Sequence, residues 1–275
     1  MKDTYLISIV TFVYFFSAFL FLTAFIFRSD RTNRGAAVIT VIGFITQTAA
    51  IILRWVHSYH IGYGHAPLAN FYESLVFFSW SITVMLLFMR KRYRGSLIGA
   101  VSCFFAFLLL AYASLSGRVA GEIEPLIPAL QSNWLISHVM SSFLAYACFA
   151  ISFATSIMYL VKRQEVGRFV SLLPDKELLD EVTYRMISIG FVLLTLGIVT
   201  GAAWADMAWG RYWGWDPKET WSFITWLIYG TYLHARVTRG WRGLRMSLLA
   251  IIGFAAVIFT YLGVNYILAG LHSYM

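Results

Sequence analysis

Eight long apolar runs, separated by short arginine-bearing turns, decide what this chain can become. They cover residues 5–27, 36–56, 71–89, 97–116, 135–161, 185–204, 217–235 and 246–270. About 20 predominantly apolar residues carry an α-helix across roughly 30 Å of hydrocarbon. Of the 275 residues, 60% are hydrophobic and 12% charged, where soluble domains carry roughly 25% charged residues. That leaves too little polar surface to cover a water-soluble globule. The expected fold is an all-α, polytopic membrane helix bundle of about eight transmembrane helices, forming a single integral-membrane domain over 1–275. The first run is too long for a signal-peptide core and leads into arginines, so it reads as a retained helix.

The basic residues orient the bundle. Arg28, Arg31 and Arg34 share one side with Arg90, Lys91, Arg92 and Arg94. Lys162, Arg163, Arg168, Lys176 and Arg185 fall there too, as do Arg236, Arg239, Arg242 and Arg245. Cytoplasmic loops carry the excess of Lys and Arg, so both termini and the loops 57–70, 117–134 and 205–216 are expected on the non-cytoplasmic side. The net charge of +8 is then a topology signal. No basic segment is long enough to track phosphates, which argues against a nucleic-acid partner. Cys103 and Cys148 sit singly in apolar runs and form no CxxC pair or zinc site. The segment 164–184 reads as a surface connector or a short interfacial helix entered through Pro174.

Six of the ten tryptophans fall between Trp204 and Trp226. An interfacial aromatic belt explains a Trp near the end of each of several spans, but not six in one place. Within this outer-face segment, 205–226, Trp209, Trp213, Trp215 and Trp221 are interleaved with glycines that let the backbone approach something flat. Indole faces supply a broad apolar plane, and the reading is a platform for a large, flat, apolar ligand. The segment leads into the seventh span through a helix start: Asp216 at the N-cap, Pro217 first, Glu219 third, a capping box.

His138 and His272 lie at the outer ends of the fifth and eighth spans, level with the tryptophans. His234 is 17 residues beyond Pro217, about 25 Å further down at 1.5 Å per residue, near the cytoplasmic edge. Two imidazoles beside an aromatic platform could take both axial positions of a haem iron. Arg118, Arg211 and Lys218 lie on the same side and could meet propionates, or serve as headgroup anchors. His57, His60 and His65 cluster irregularly in an outer loop, a weak metal signal.

The run Trp209-Gly-Arg-Tyr-Trp213-Gly-Trp215-Asp216-Pro-Lys-Glu219-Thr-Trp221 resembles the WWD signature of haem-handling membrane proteins. Its Asp-Pro-Lys-Glu-Thr-Trp tail is similar to the CcsA/ResC family, the system II cytochrome c synthase. Pro67-Leu-Ala-Asn70-Phe-Tyr72-Glu73-Ser-Leu75, Tyr232-Leu-His234, Leu262-Gly-Val-Asn265 and Leu271-His272-Ser-Tyr extend the likeness from about residue 54 onward. The resemblance implies that His138 and His272 ligate haem b at an outer site and that His234 belongs to an inner one. A CcsB/ResB-type membrane companion would complete the inner site. It further implies a haem-handling subunit of a holocytochrome c synthase, haem lyase in type, in the bacterial cytoplasmic (inner) membrane with an extracytoplasmic active face. The implied reaction joins haem by thioethers to the CxxCH of an exported apocytochrome c, whose own cysteines are the nucleophiles. A thiol-reducing, thioredoxin-like protein is a further partner the family allows. His65, Glu73 and Glu219 are accessory candidates.

A haem transporter or chaperone without attachment activity is the main alternative. A quinone-linked b-type electron carrier would place paired histidines within the hydrocarbon, and no span here contains two. A solute transporter would call for buried mid-membrane charges and repeated halves.

Overall fold

The computed structural model describes residues 2–115, 121–164 and 168–268. Helices α1 (Lys2–Ile26), α2 (Asp30–His60), α3 (Phe71–Arg90) and α4 (Ser96–Leu115) are followed by α5 (Asn133–Lys162). Then come the short α6 (Arg168–Leu172), α7 (Lys176–Trp209), α8 (Pro217–Thr238) and α9 (Leu244–Ile258). A π-helical turn, Phe259–Gly263, joins α9 to α10 (Val264–Ile267). Among the described residues, seven helices are long and apolar enough to cross a membrane. The eighth, α8, is 22 residues long but opens with Lys218 and Glu219 and carries Ser, Thr, Tyr and His along its length, which lowers its hydropathy. The expected all-helical membrane bundle is what forms.

The helices outrun the apolar windows. α7 begins at Lys176 rather than near 185, and together with α6 it makes most of the expected connector helical. Asp175 stands at its N-cap in extended backbone, just after Pro174. The charged opening belongs to the helix because Leu179 and Val182 are fully buried between those charges. Asp180 also pairs with Arg236 at 2.7 Å. α2 likewise starts early, where the Ser29 side chain accepts from the Thr32 N–H.

The chain forms two compact units, Met1–Gln131 and Ser132–Met275. In the first, α1 packs on α2 and α4, and α3 on α4 and α2. Phe21, Leu86, Ala36, Ala100 and Cys103 form an apolar cluster there. Along α2, Asn33, Thr40, Gln47 and Arg54 recur every seventh residue, a spacing that returns to nearly the same helix face. Asn33 Oδ1 accepts from Arg90, at 3.3 Å. Thr40 Oγ1 lies 2.5 Å from Ser17 Oγ. Gln47 Oε1 accepts from the Tyr14 hydroxyl at 2.7 Å, and its Nε2 donates to the Val76 carbonyl. Arg54 Nε donates to Glu73 Oε1 at 2.7 Å, and Nη1 to Asp3 Oδ2 at 3.1 Å. From Asn33 to Arg54 is about 31 Å of helix at 1.5 Å per residue. A polar ladder thus runs the depth of a bilayer, binding α2 to α1 and α3 where water offers no competing partner.

The second unit is held differently. α5 packs along α7 and against α9, and α8 against α9 and α7. Small residues let these backbones close up. A Cβ at Gly190 of α7 would lie 2.7 Å from the Phe149 ring, and one at Gly253 of α9 2.6 Å from Tyr229. Tyr229 and Phe149 stack face to face, centroids 3.7 Å apart and 7° from parallel. At the α8–α9 turn, Arg236 also lies over the Tyr184 ring and donates to the Trp241 carbonyl. The second Asp180 oxygen accepts from the Gly243 N–H.

Candidate functional site

The tryptophan segment leaves α7 at Trp209 and turns through Gly210, which caps the helix in left-handed backbone at φ 71°. Its chain then doubles toward α8. The expected capping box is present: Asp216 Oδ1 accepts from the Lys218 N–H at 3.0 Å, and Glu219 accepts from the Asp216 N–H at 3.1 Å. The same Glu219 oxygen accepts from the Gly214 N–H at 2.7 Å. Those two bonds flank Trp215, whose φ of +56° is unfavourable for a bulky residue. Strain of about 1–2 kcal/mol is typical of such a residue. Here it is held by a carboxylate gripping the N–H on either side, and by Thr220 donating to the Trp215 carbonyl. The outcome is an indole turned outward, 67% exposed.

The other rings fall into groups. Trp209 meets Trp204 edge-on, centroids 4.9 Å apart. Trp213 stands at 89° to Trp215 and also meets Phe223. Trp221 packs on Phe259 of the π-helical turn at 4.2 Å. Beneath them Trp226 stacks on Phe191 and donates through Nε1 to Thr195 Oγ1. Arg211 is exposed, with its guanidinium folded over Gly214 so closely that a Cβ there would lie 2.7 Å away. Lys218 is half-buried in the first turn of α8.

His138, in the second turn of α5, is brought to the head of this aromatic group. Its ring stacks on Trp204 at 6.0 Å and 19°, and Nδ1 lies 2.7 Å from the Gly197 carbonyl of α7. A carbonyl only accepts, so Nδ1 carries the proton and Nε2 the lone pair of the neutral ring. Metal-ligating imidazoles are held in this manner, so His138 and the indole of Trp204 stacked on it fit the chemistry of a haem site. His234 lies on an exposed face of α8, near its C-terminal end. His272 and Arg118 lie outside the described residues.

Glu73 and His65 belong to a different place, the end of the first unit where α2 gives way to α3. Glu73 is buried, bonded to Arg54 and accepting from the Ala69 N–H at 2.8 Å. Arg54 donates further to the carbonyls of Gly121 and Glu122. His65 bridges the carbonyls of Ala66 and Glu124, both at 2.9 Å. These side chains anchor the loop after α4. His57 and His60 are exposed on α2, and among the described residues no group of three His, Cys, Asp or Glu is disposed to hold a metal ion. Sequence reasoning missed Arg54 as the centre of this network, and missed Gly197, Gly201 and Trp204 as the surroundings of His138. The Gly-x-x-x-Gly spacing of the two glycines was the available signal.

Residues 68–272 match the family described as Cytochrome C assembly protein. The chain is 38% identical to Cytochrome c biogenesis protein CcsA of Porphyra purpurea, covering 90% of this chain and 89% of that one. It is 37% identical to the CcsA protein of Prochlorococcus marinus (strain NATL2A), over 94% and 92% of the two chains. Among solved structures, Cytochrome c Heme Lyase CcmF matches with a TM-score of 0.68 and 21% identity, over 94% of this chain and 46% of that one. That likeness is one of fold, and this chain spans about half of that protein. This is an integral membrane protein, and it belongs to the cytochrome c assembly protein family.

Proposed function

We propose that the chain serves cytochrome c maturation as the haem-handling subunit of a cytochrome c synthase. It presents haem b at the outer membrane face for attachment to the CxxCH of an apocytochrome c. The family supports the role in maturation. The observation that supports the haem site is His138, held by the Gly197 carbonyl with Nε2 carrying the lone pair and stacked on Trp204, which in turn meets Trp209.

Haem is cargo and substrate in this reading. It brings the vinyl groups, and each substrate thiol adds S and H across one vinyl double bond, giving a thioether with no net oxidation. No nucleophile is needed from this chain, whose work is positioning. His138 and His272 would hold the iron at the outer site. Trp209, Trp213, Trp215 and Trp221 would supply apolar faces, while Arg211, Lys218 and Arg118 are placed in sequence for the propionates. Asp216 and Glu219 shape the loop, and their hydrogen bonds favour that task over direct chemistry. His234 would serve an inner site completed by a CcsB/ResB-type companion. A histidine on the exposed face of a membrane helix is costly unless something meets it there. The distribution of basic residues among the loops supports an outer orientation for the site.

A reconstitution tests the activity: this chain, its companion, haem, and an apocytochrome c peptide kept reduced by a thioredoxin-like protein. Haem covalently joined to the peptide, lost when both peptide cysteines are Ser, is the expected product. Haem taken up and released without a covalent product would make the chain a transporter or chaperone.

A further inference from the structure

We infer that Gly197 and Gly201 of α7 form a notch that positions His138 and selects which ring nitrogen it presents. The inference rests on the reading of His138 as a haem ligand. It assigns to two glycines and a buried indole a role in ligand geometry, where packing alone would be the simpler account.

Gly197, Gly201 and Trp204 recur at intervals of four and three residues, so they share one face of α7. Each bounds the imidazole differently. A Cβ at Gly201 would lie 2.5 Å from His138 Nδ1, 2.8 Å from Cε1 and 3.3 Å from Cγ. The ring therefore fills the volume that any side chain at 201 would need. Gly197 supplies the carbonyl 2.7 Å from Nδ1, and its own bare Cα admits Ser142, whose Oγ would be 2.6 Å from a Cβ there. Ser142 is one turn along α5 from His138, so this second close approach brings the helix in far enough for the imidazole to reach the carbonyl. Trp204, 2% exposed and stacked on the ring, closes the remaining side.

The opposite tautomer would set two lone pairs against each other at 2.7 Å. The notch therefore selects the Nδ1–H form and points the nucleophilic nitrogen, Nε2, away from α7. A backbone carbonyl serves this purpose better than a side chain would, since it cannot rotate away or ionise. Partners of this type fix the ring and raise its basicity toward a metal. Thr200 Oγ1 donates to the same carbonyl at 3.2 Å, so Gly197 O is a shared acceptor.

The test must separate positioning from helix packing, and Gly190→Ala provides the packing control. It crowds the same pair of helices against Phe149 and Cys148, away from His138. ¹⁵N NMR of the histidine-labelled full chain in lipid nanodiscs reads the tautomer, with His138 signals assigned by their absence in His138→Ala. Wild type and Gly190→Ala are expected to show a protonated Nδ1 and an unprotonated Nε2. Gly201→Ala is expected to lose that pattern, to bind added haemin about tenfold more weakly, and to regain low-spin bands with imidazole. An Nε2–H tautomer in the wild-type chain overturns the inference whether or not Gly201→Ala folds. So does a Gly201→Ala chain that keeps both the tautomer and the affinity. A wild-type chain with the Nδ1–H form that takes up no haemin bears out the notch and overturns the haem reading instead.

Discussion

The two units solve the same packing problem in opposite ways. In the first, one helix carries a polar residue every seventh position, and each ties α2 to a neighbour by side-chain hydrogen bonds or an ion pair. In the second, glycines remove side chains so that α5, α7, α8 and α9 meet backbone to ring. Hydrogen bonds fix direction and register, because a slipped helix leaves a donor stranded in hydrocarbon. Close apolar packing fixes distance and leaves room for an aromatic surface. The candidate haem ligand stands in the unit built by close packing, with its ring Nδ1 bonded to a backbone carbonyl.

This contrast can be broken most sharply at Arg54. Arg54→Leu removes the cation that pairs with the Glu73 and Asp3 carboxylates, whose side chains are 1% and 8% exposed. It also removes the donors to Gly121 and Glu122. Breaking a buried pair from one side costs about 3–5 kcal/mol, so the thermal midpoint of the detergent-purified chain should fall far, while the His138 tautomer stays unchanged. Gly190→Ala comes next. Overpacking should cost about 1–3 kcal/mol, measured in the same melt, and its effect should add to that of Arg54→Leu, which lies in the other unit. Asp216→Ala removes the cap of α8 and should cost about 1 kcal/mol, whereas Asp216→Asn keeps an acceptor and should sit close to wild type. The smallest effect is Thr40→Val, which removes one hydroxyl from the ladder at nearly constant shape. Its loss should be about 0.6 kcal/mol, the average for an interhelical hydrogen bond in a membrane. A Thr40→Val chain as damaged as Gly190→Ala would mean that the ladder does more than tie helices.

Local signals were legible in the sequence and tertiary ones were not. The start of α8 could be read from Asp216, Pro217 and Glu219 because a capping box is complete within four residues. Apolar runs located the helices, since crossing hydrocarbon requires nothing but length and hydropathy. They misplaced the start of α7, because a hydropathy window rejects Lys176, Glu177, Asp180 and Glu181 although Leu179 and Val182 between them are buried. Arg54 reads from sequence as one more cation near a span end. Its carboxylates sit 51 and 19 residues away, and only the fold brings them together. His65 looked like part of a loose histidine cluster, and the contact that explains it is to a carbonyl 59 residues on. Near the candidate site, the candidate ligand His138 was visible and the residues that hold its ring were not. Gly197 and Gly201 carry no chemistry of their own and gain it from what they allow His138 to reach.

The most direct test of the central claim is the absorption spectrum of the purified full chain loaded with haemin, oxidised and reduced, alone and with its companion. His138→Ala, His272→Ala and His234→Ala belong beside it. Low-spin bis-imidazole bands that disappear in the first two variants and return with added imidazole are the predicted result. Bands that persist unchanged in His138→Ala, or a wild-type chain that takes up no haem even beside its companion, would contradict it.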